Sequence, residues 1–128
     1  MMPKPRIRTG LAILLFCFSF AAYAQKATEM FIPIGQSPGL SGKHTLIARI
    51  EAVNPPTRTL TLKDESVTRT VRITEQTKIW LDRSKLQQPN RTGTFADCRV
   101  GSLAEIKFLL NERKEGGVAE WIKVQATN

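Results

Sequence analysis

From residue 44 onward the sequence consists of short stretches in which apolar and polar side chains alternate, each stopped by proline, glycine, asparagine or aspartate. Leu46, Ala48, Ile50 and Ala52 alternate with Ile47, Arg49, Glu51 and Val53, the pattern of a strand buried on one face. Residues 54–57 (Asn-Pro-Pro-Thr) then turn the chain, because proline fixes φ and offers no N–H to a ladder. A second strand follows with Leu60 and Leu62 inward, and a third with Val67, Val71 and Ile73 on one face. Residues 77–81, with Trp80, read as a short fourth strand. Residues 82–94 read as a long polar loop with a helical turn at 84–88. A tight turn or one-turn helix over 95–101 leads to a fifth strand, with Ala104, Ile106, Phe108 and Leu110 inward and Glu105 and Lys107 outward. A charged hairpin over 111–117 leads to a sixth strand, 118–125, where Ala119, Ile122 and Val124 break strict alternation and call for a bulge near Trp121. No stretch carries a helical period beyond a turn. The expected fold is therefore all-β, a small barrel of five to six strands over residues 44–126, because closure removes exposed strand edges.

Residues 1–24 have the pattern of a cleaved signal peptide. Lys4, Arg6 and Arg8 precede an apolar run from Leu11 to Phe20, and Ala22 and Ala24 are the small residues a signal peptidase accepts. The run falls short of the ~20 apolar residues a spanning helix needs. Cleavage before Gln25 is expected, giving a periplasmic or secreted chain without a stable membrane anchor. Residues 25–43 form an irregular lead-in, broken by Pro33, Gly35, Pro38, Gly39 and Gly42. Within it, residues 30–34 are apolar enough to lie along the domain, and a flexible tether is the alternative.

Cleavage changes the charge argument. The 128-residue chain carries +8, but without Lys4, Arg6 and Arg8 this falls to +5, with all 11 acidic residues retained. Cys17 leaves as well, so Cys98 has no partner for an internal disulfide. Its flanking charges, Asp97 and Arg99, cancel, and free cysteine packs as a small apolar group. The expectation is a buried thiol, with a reactive thiol as the alternative. The neighbours of His44, Lys43 and Thr45, supply no obvious catalytic partner, and it is expected to be a solvated residue at a strand start. Trp80 and Trp121 are candidates for a stacking platform that would take a sugar or a base, with capping the ends of the barrel core as the favoured reading. Arg49, Arg69, Arg72, Arg83, Lys85, Arg91 and Arg99 are candidates for an anion-binding surface, although Glu51, Glu65, Glu75, Asp82 and Asp97 interleave with them. Motifs for a serine hydrolase, a zinc protease, a phosphate-cradling loop or a Cys-x-x-Cys centre are missing from the sequence. No catalytic residue, metal ligand set or cofactor is assigned.

Three stretches taken together carry a resemblance: the hairpin of residues 50–53 and 59–62, the Ile73-Thr74 to Thr77-Lys78-Ile79 segment, and residues 95–106 closing with Ala119 to Val124. Their order resembles small exported bacterial OB-like β-barrel domains of unknown function, with Cys98 standing where that pattern usually carries leucine. The resemblance implies the fold and the compartment, and no activity. A more distant likeness is to periplasmic copper carriers, which hold copper with a histidine, a closely spaced methionine pair and a tryptophan. Here Met30 and His44 are the only methionine and histidine after position 24, no methionine pair exists, and Trp80 alone does not make a site.

These readings converge on an exported, non-catalytic binding or accessory module of the cell envelope. Its partner would be an envelope protein, an oligosaccharide or a polyanion, with no nucleic acid expected. Contacts would fall on the 82–94 and 111–117 loops, with Trp80, Trp121, Arg83, Lys85 and Arg91 as the candidate ligand-binding residues. The alternatives are a metal carrier using His44 and a thiol-dependent enzyme using Cys98.

Overall fold

The computed structural model describes residues 28–110 and 117–127. The signal-peptide reading of residues 1–24, and most of the 111–117 hairpin, lie outside the described residues.

Seven strands follow in order: β1 (Leu46–Asn54), β2 (Thr59–Asp64), β3 (Val67–Arg72), β4 (Lys78–Asp82), β5 (Arg91–Thr92), β6 (Leu103–Phe108) and β7 (Gly117–Gln125). Two single-turn 3-10 segments, Ser84–Leu86 and Phe95–Asp97, sit between β4 and β6. β1, β2 and β3 form an antiparallel meander, β1 pairs antiparallel with β6, and β6 pairs antiparallel with β7. A parallel contact between β3 and β7, Val71 opposite Gly117 and Arg72 opposite Val118, closes the ring. Five strands closed in the order β1-β2-β3-β7-β6 make an OB-like barrel.

The barrel's third side is interrupted. After β3 the chain makes a tight turn in which the Thr74 amide donates to Thr77 Oγ1 (3.0 Å) and the Thr77 amide to the Thr74 carbonyl (3.2 Å). β4 then continues along β7 in parallel, with Ile79 opposite Ile122 and Leu81 opposite Val124. At the change of partner the Thr77 hydroxyl donates to the Ala119 carbonyl at 2.7 Å, so the break leaves that buried acceptor satisfied. β5 adds a short edge on β4. The sequence read residues 91–92 as loop because two residues cannot display a period.

Inside the barrel, Leu46, Ala48, Ile50, Leu60, Leu62, Val71, Ile73, Ala104, Ile106, Phe108, Ile122 and Val124 are all buried. The alternation predicted most of these positions. Two differences have local causes. A bulge between Ile50 and Ala52 shifts the register of β1, so Ala52 is exposed and Val53 turns toward the core in its place. Leu110 lies past the end of β6 and is 77% exposed. The irregularity expected near Trp121 is present: Lys107 faces Trp121 and Phe108 faces Ala119, leaving Glu120 as the extra residue.

Candidate functional site

The same period that fills the barrel points Ile47 and Arg49 of β1, Leu103, Glu105 and Lys107 of β6, Trp121, Lys123 and Gln125 of β7, and Lys78, Trp80 and Asp82 of β4 to the outside. Cross-strand registers place Trp80, Lys123, Glu105 and Ile47 in one row. An outer row on a small barrel would ordinarily be wet. Here Glu105 and Lys123 are 0% exposed and Asp82 is 1%.

The lead-in accounts for this burial. Residues 28–45 cross the outer face and satisfy its charges one by one. Lys123 Nζ pairs with Glu29 Oε1 at 2.7 Å. Glu105 accepts from the Gly35 amide (3.0 Å) and from Thr45 Oγ1 (2.7 Å). Asp82 accepts from the Ile34 amide (2.8 Å) and from the Ser84 amide and hydroxyl (2.9 and 2.6 Å). Asn90 Nδ2 donates to the Met30 carbonyl at 3.1 Å. Buried charge is costly unless it is paired or hydrogen-bonded: Lys123 has an ion pair, and Glu105 and Asp82 each accept from two or more neutral donors.

Trp80 and Trp121 belong to this outer layer. Their rings lie 5.4 Å apart at 32°, and Lys123 Nζ stands 4.9 Å over Trp121. They are buried side by side, outside the cluster that fills the barrel, and do not cap its two ends as favoured from sequence. The 3.3 Å strand rise and the 4.8 Å strand spacing of a generic sheet allow such neighbours, but β4 pairing parallel with β7 is what joined them.

The remaining sequence candidates are dispersed. Cys98 is buried with the barrel core, close to Phe95 and the 3-10 turn. Burial, aided by the nearby Asp97 carboxylate and opposed by Arg58, pushes its thiol up to about 12. A thiol held protonated is a poor nucleophile. His44 is exposed in the turn before β1, its amide bonded to the Leu40 carbonyl at 2.9 Å. Lys85 is exposed on the first 3-10 turn. Arg83 is half-buried, and its Nε is the one buried side-chain polar atom without a partner among the described residues. Among those residues no three His, Cys, Asp or Glu side chains gather as a metal site, and no helix is long and apolar enough to cross a membrane.

Arg91 has company. Together with Arg49 and Arg99 it lines a cleft of about 470 Å³ at the end of the barrel where β1, β4, β5, the start of β6 and the chain after β7 meet. Gly101, at φ +92°, makes the turn into β6 that an L side chain rarely adopts, and its amide donates to the Ile50 carbonyl at 2.7 Å. Arg49 Nη1 donates to the Gly101 carbonyl at 3.1 Å, fixing one guanidinium at the rim. The cleft's carboxylate, Asp97, is engaged: its Oδ2 accepts the Thr94 amide at 2.7 Å in a capping box. All three arginines are exposed. Sequence reasoning placed them in one basic set with Arg69, Arg72, Arg83 and Lys85, and had no means of separating the three that converge.

No family model matches the chain, and no curated protein matches it. Two solved structures of the Escherichia coli protein CusF and its silver form were found similar. A tryptophan-to-alanine CusF variant with Cu(II) is 13% identical, with a TM-score of 0.42 over 64% of this chain and 90% of that one. Ag(I)CusF is 14% identical, with a TM-score of 0.41 over 62% of this chain and 93% of that one.

Proposed function

We propose that this protein is an exported, non-catalytic binding module that uses the cleft at the barrel end to hold an anionic partner. The observation that carries the reading is the convergence of Arg49, Arg91 and Arg99 on one concave surface whose carboxylate, Asp97, is already committed to the Thr94 cap. Guanidinium groups remain charged at every physiological pH and bind carboxylate and phosphate through paired N–H donors. The barrel supplies rigidity for two of the three: Arg49 stands on β1 and Arg91 on β5, both tied into the sheet by ladder bonds, while Arg99 lies in the turn that precedes β6. Export rests on the signal-peptide pattern of residues 1–24. The buried, protonated Cys98 favours a packing role for that residue over a catalytic one.

The test is retention of the purified protein on immobilised polyphosphate against a neutral dextran support. Retention should weaken with salt, since exposed charges are screened. It should be lost in an Arg49→Gln, Arg91→Gln, Arg99→Gln variant that keeps the parent's circular dichroism. Equal retention of that variant would refute the cleft as the site.

A further inference from the structure

The cleft is only partly polar. Leu81, Leu86, Val100 and Leu103 share its lining with the three arginines. Leu81 is buried, Leu86 and Leu103 are half-buried, and Val100 is 66% exposed. An exposed large aliphatic beside guanidinium groups has nothing to pack on in the free protein, whereas a bound apolar group would cover it. The cleft thus offers apolar surface beside its cations, and its volume lies within the 300–1,000 Å³ of small-molecule sites.

We infer that the cleft takes a single-chain amphiphile, an alkyl group ending in a carboxylate or a phosphate monoester. The alkyl chain lies on Leu81, Leu86, Val100 and Leu103, and the anionic head meets Arg49, Arg91 and Arg99. This rests on the reading of the cleft as an anion site and adds the chemistry of what the anion carries. Other exposed apolar groups do not offer the same pairing. Leu109 and Leu110 stand at the end of β6, and neither lines the basic cleft.

Titration calorimetry of the purified protein with octanoate, decanoate and dodecanoate, each below its micellar concentration, tests this directly. Affinity should rise about fourfold for each methylene the cleft covers. Decanol should bind at least about tenfold more weakly than decanoate, because it lacks the charge-assisted bonds. Decyl phosphate against decanoate separates the two head groups. Val100→Asn alters an exposed side chain and should flatten the chain-length dependence without affecting binding of tripolyphosphate. Amide shifts in the presence of decanoate should centre on residues 99–103 and 125–127. Chain-length-independent affinity, equal binding of decanol, or shifts centred on Leu109 and Leu110 would overturn the inference. Tripolyphosphate binding that depends on the arginines, without any gain from an alkyl chain, would leave the anion-site reading standing and defeat only this extension. Binding of neither ligand would defeat both.

Discussion

Lys123 is the most informative residue to perturb. Its ammonium is fully buried on the outside of the barrel, 2.7 Å from Glu29, with Glu105 directly across the strand and Asp82 on the same face. Glu105 and Asp82 are satisfied by neutral donors, so Lys123 is the buried positive charge beside these three carboxylates. Replacement by methionine keeps an unbranched apolar stem one atom shorter than lysine's and removes the ammonium, so the change is chiefly electrostatic. Removing one partner of a buried pair leaves the other stranded, at a cost of about 3–5 kcal/mol. Glu29 keeps 14% of its side-chain exposure, which allows some relief through water and puts the expected loss near the lower end of that range. Lys123→Met should therefore lower the urea-derived stability by about 3 kcal/mol. The Glu29→Gln, Lys123→Met double variant should recover part of that loss, since the stranded carboxylate is gone. A double-mutant cycle should give a coupling above about 1 kcal/mol, as contacting residues do. A Lys123→Met loss below about 1 kcal/mol, or additive single variants within about 0.5 kcal/mol, would refute the account of the lead-in as held by this ion pair.

Other consequences can be measured separately. Cys98 should resist a thiol reagent in the native state and react on unfolding. With its thiol raised from 9.0 to about 12, the unfolded chain ionises first, so the Cys98 contribution is intact below pH 9 and is lost as the pH rises from 9 through 12. Cys98→Ser should cost about 1–3 kcal/mol by placing a hydroxyl in an apolar site, while Cys98→Ala should remove the alkaline sensitivity. Gly93→Ala would bring a Cβ to 2.9 Å from Asp97 Oδ2 and 3.2 Å from Leu81 Cγ. Because that oxygen is held by the Thr94 cap, the variant should lose about 1 kcal/mol or more, read as a shift of the urea midpoint. Phe108→Ala should destabilise by about 3–5 kcal/mol, since the ring is 2% exposed at the centre of the core.

The strands and the side chains that fill the barrel are legible in the sequence. Two-residue alternation in β1, β2 and β6 reports which side chains share a face, and the Asn-Pro-Pro-Thr turn reports where the meander folds back. Tertiary structure decided the rest. Glu105 and Lys123 alternate out of phase with the core, and a period reveals the side a residue takes and not what covers that side. Their burial depends on residues 28–45 lying across the face, which the apolar run at 30–34 made only an even choice against a tether. Trp80 and Trp121 meet because β4 runs parallel to β7 across forty residues of intervening chain, a pairing without a local signal. Arg49 of β1, Arg91 of β5 and Arg99 of the turn before β6 likewise share a cleft only once the barrel closes. Local steric and hydrophobic rules act over a few residues and leave their mark in the sequence. A site gathered from distant strands depends on closure, and closure is a property of the whole chain.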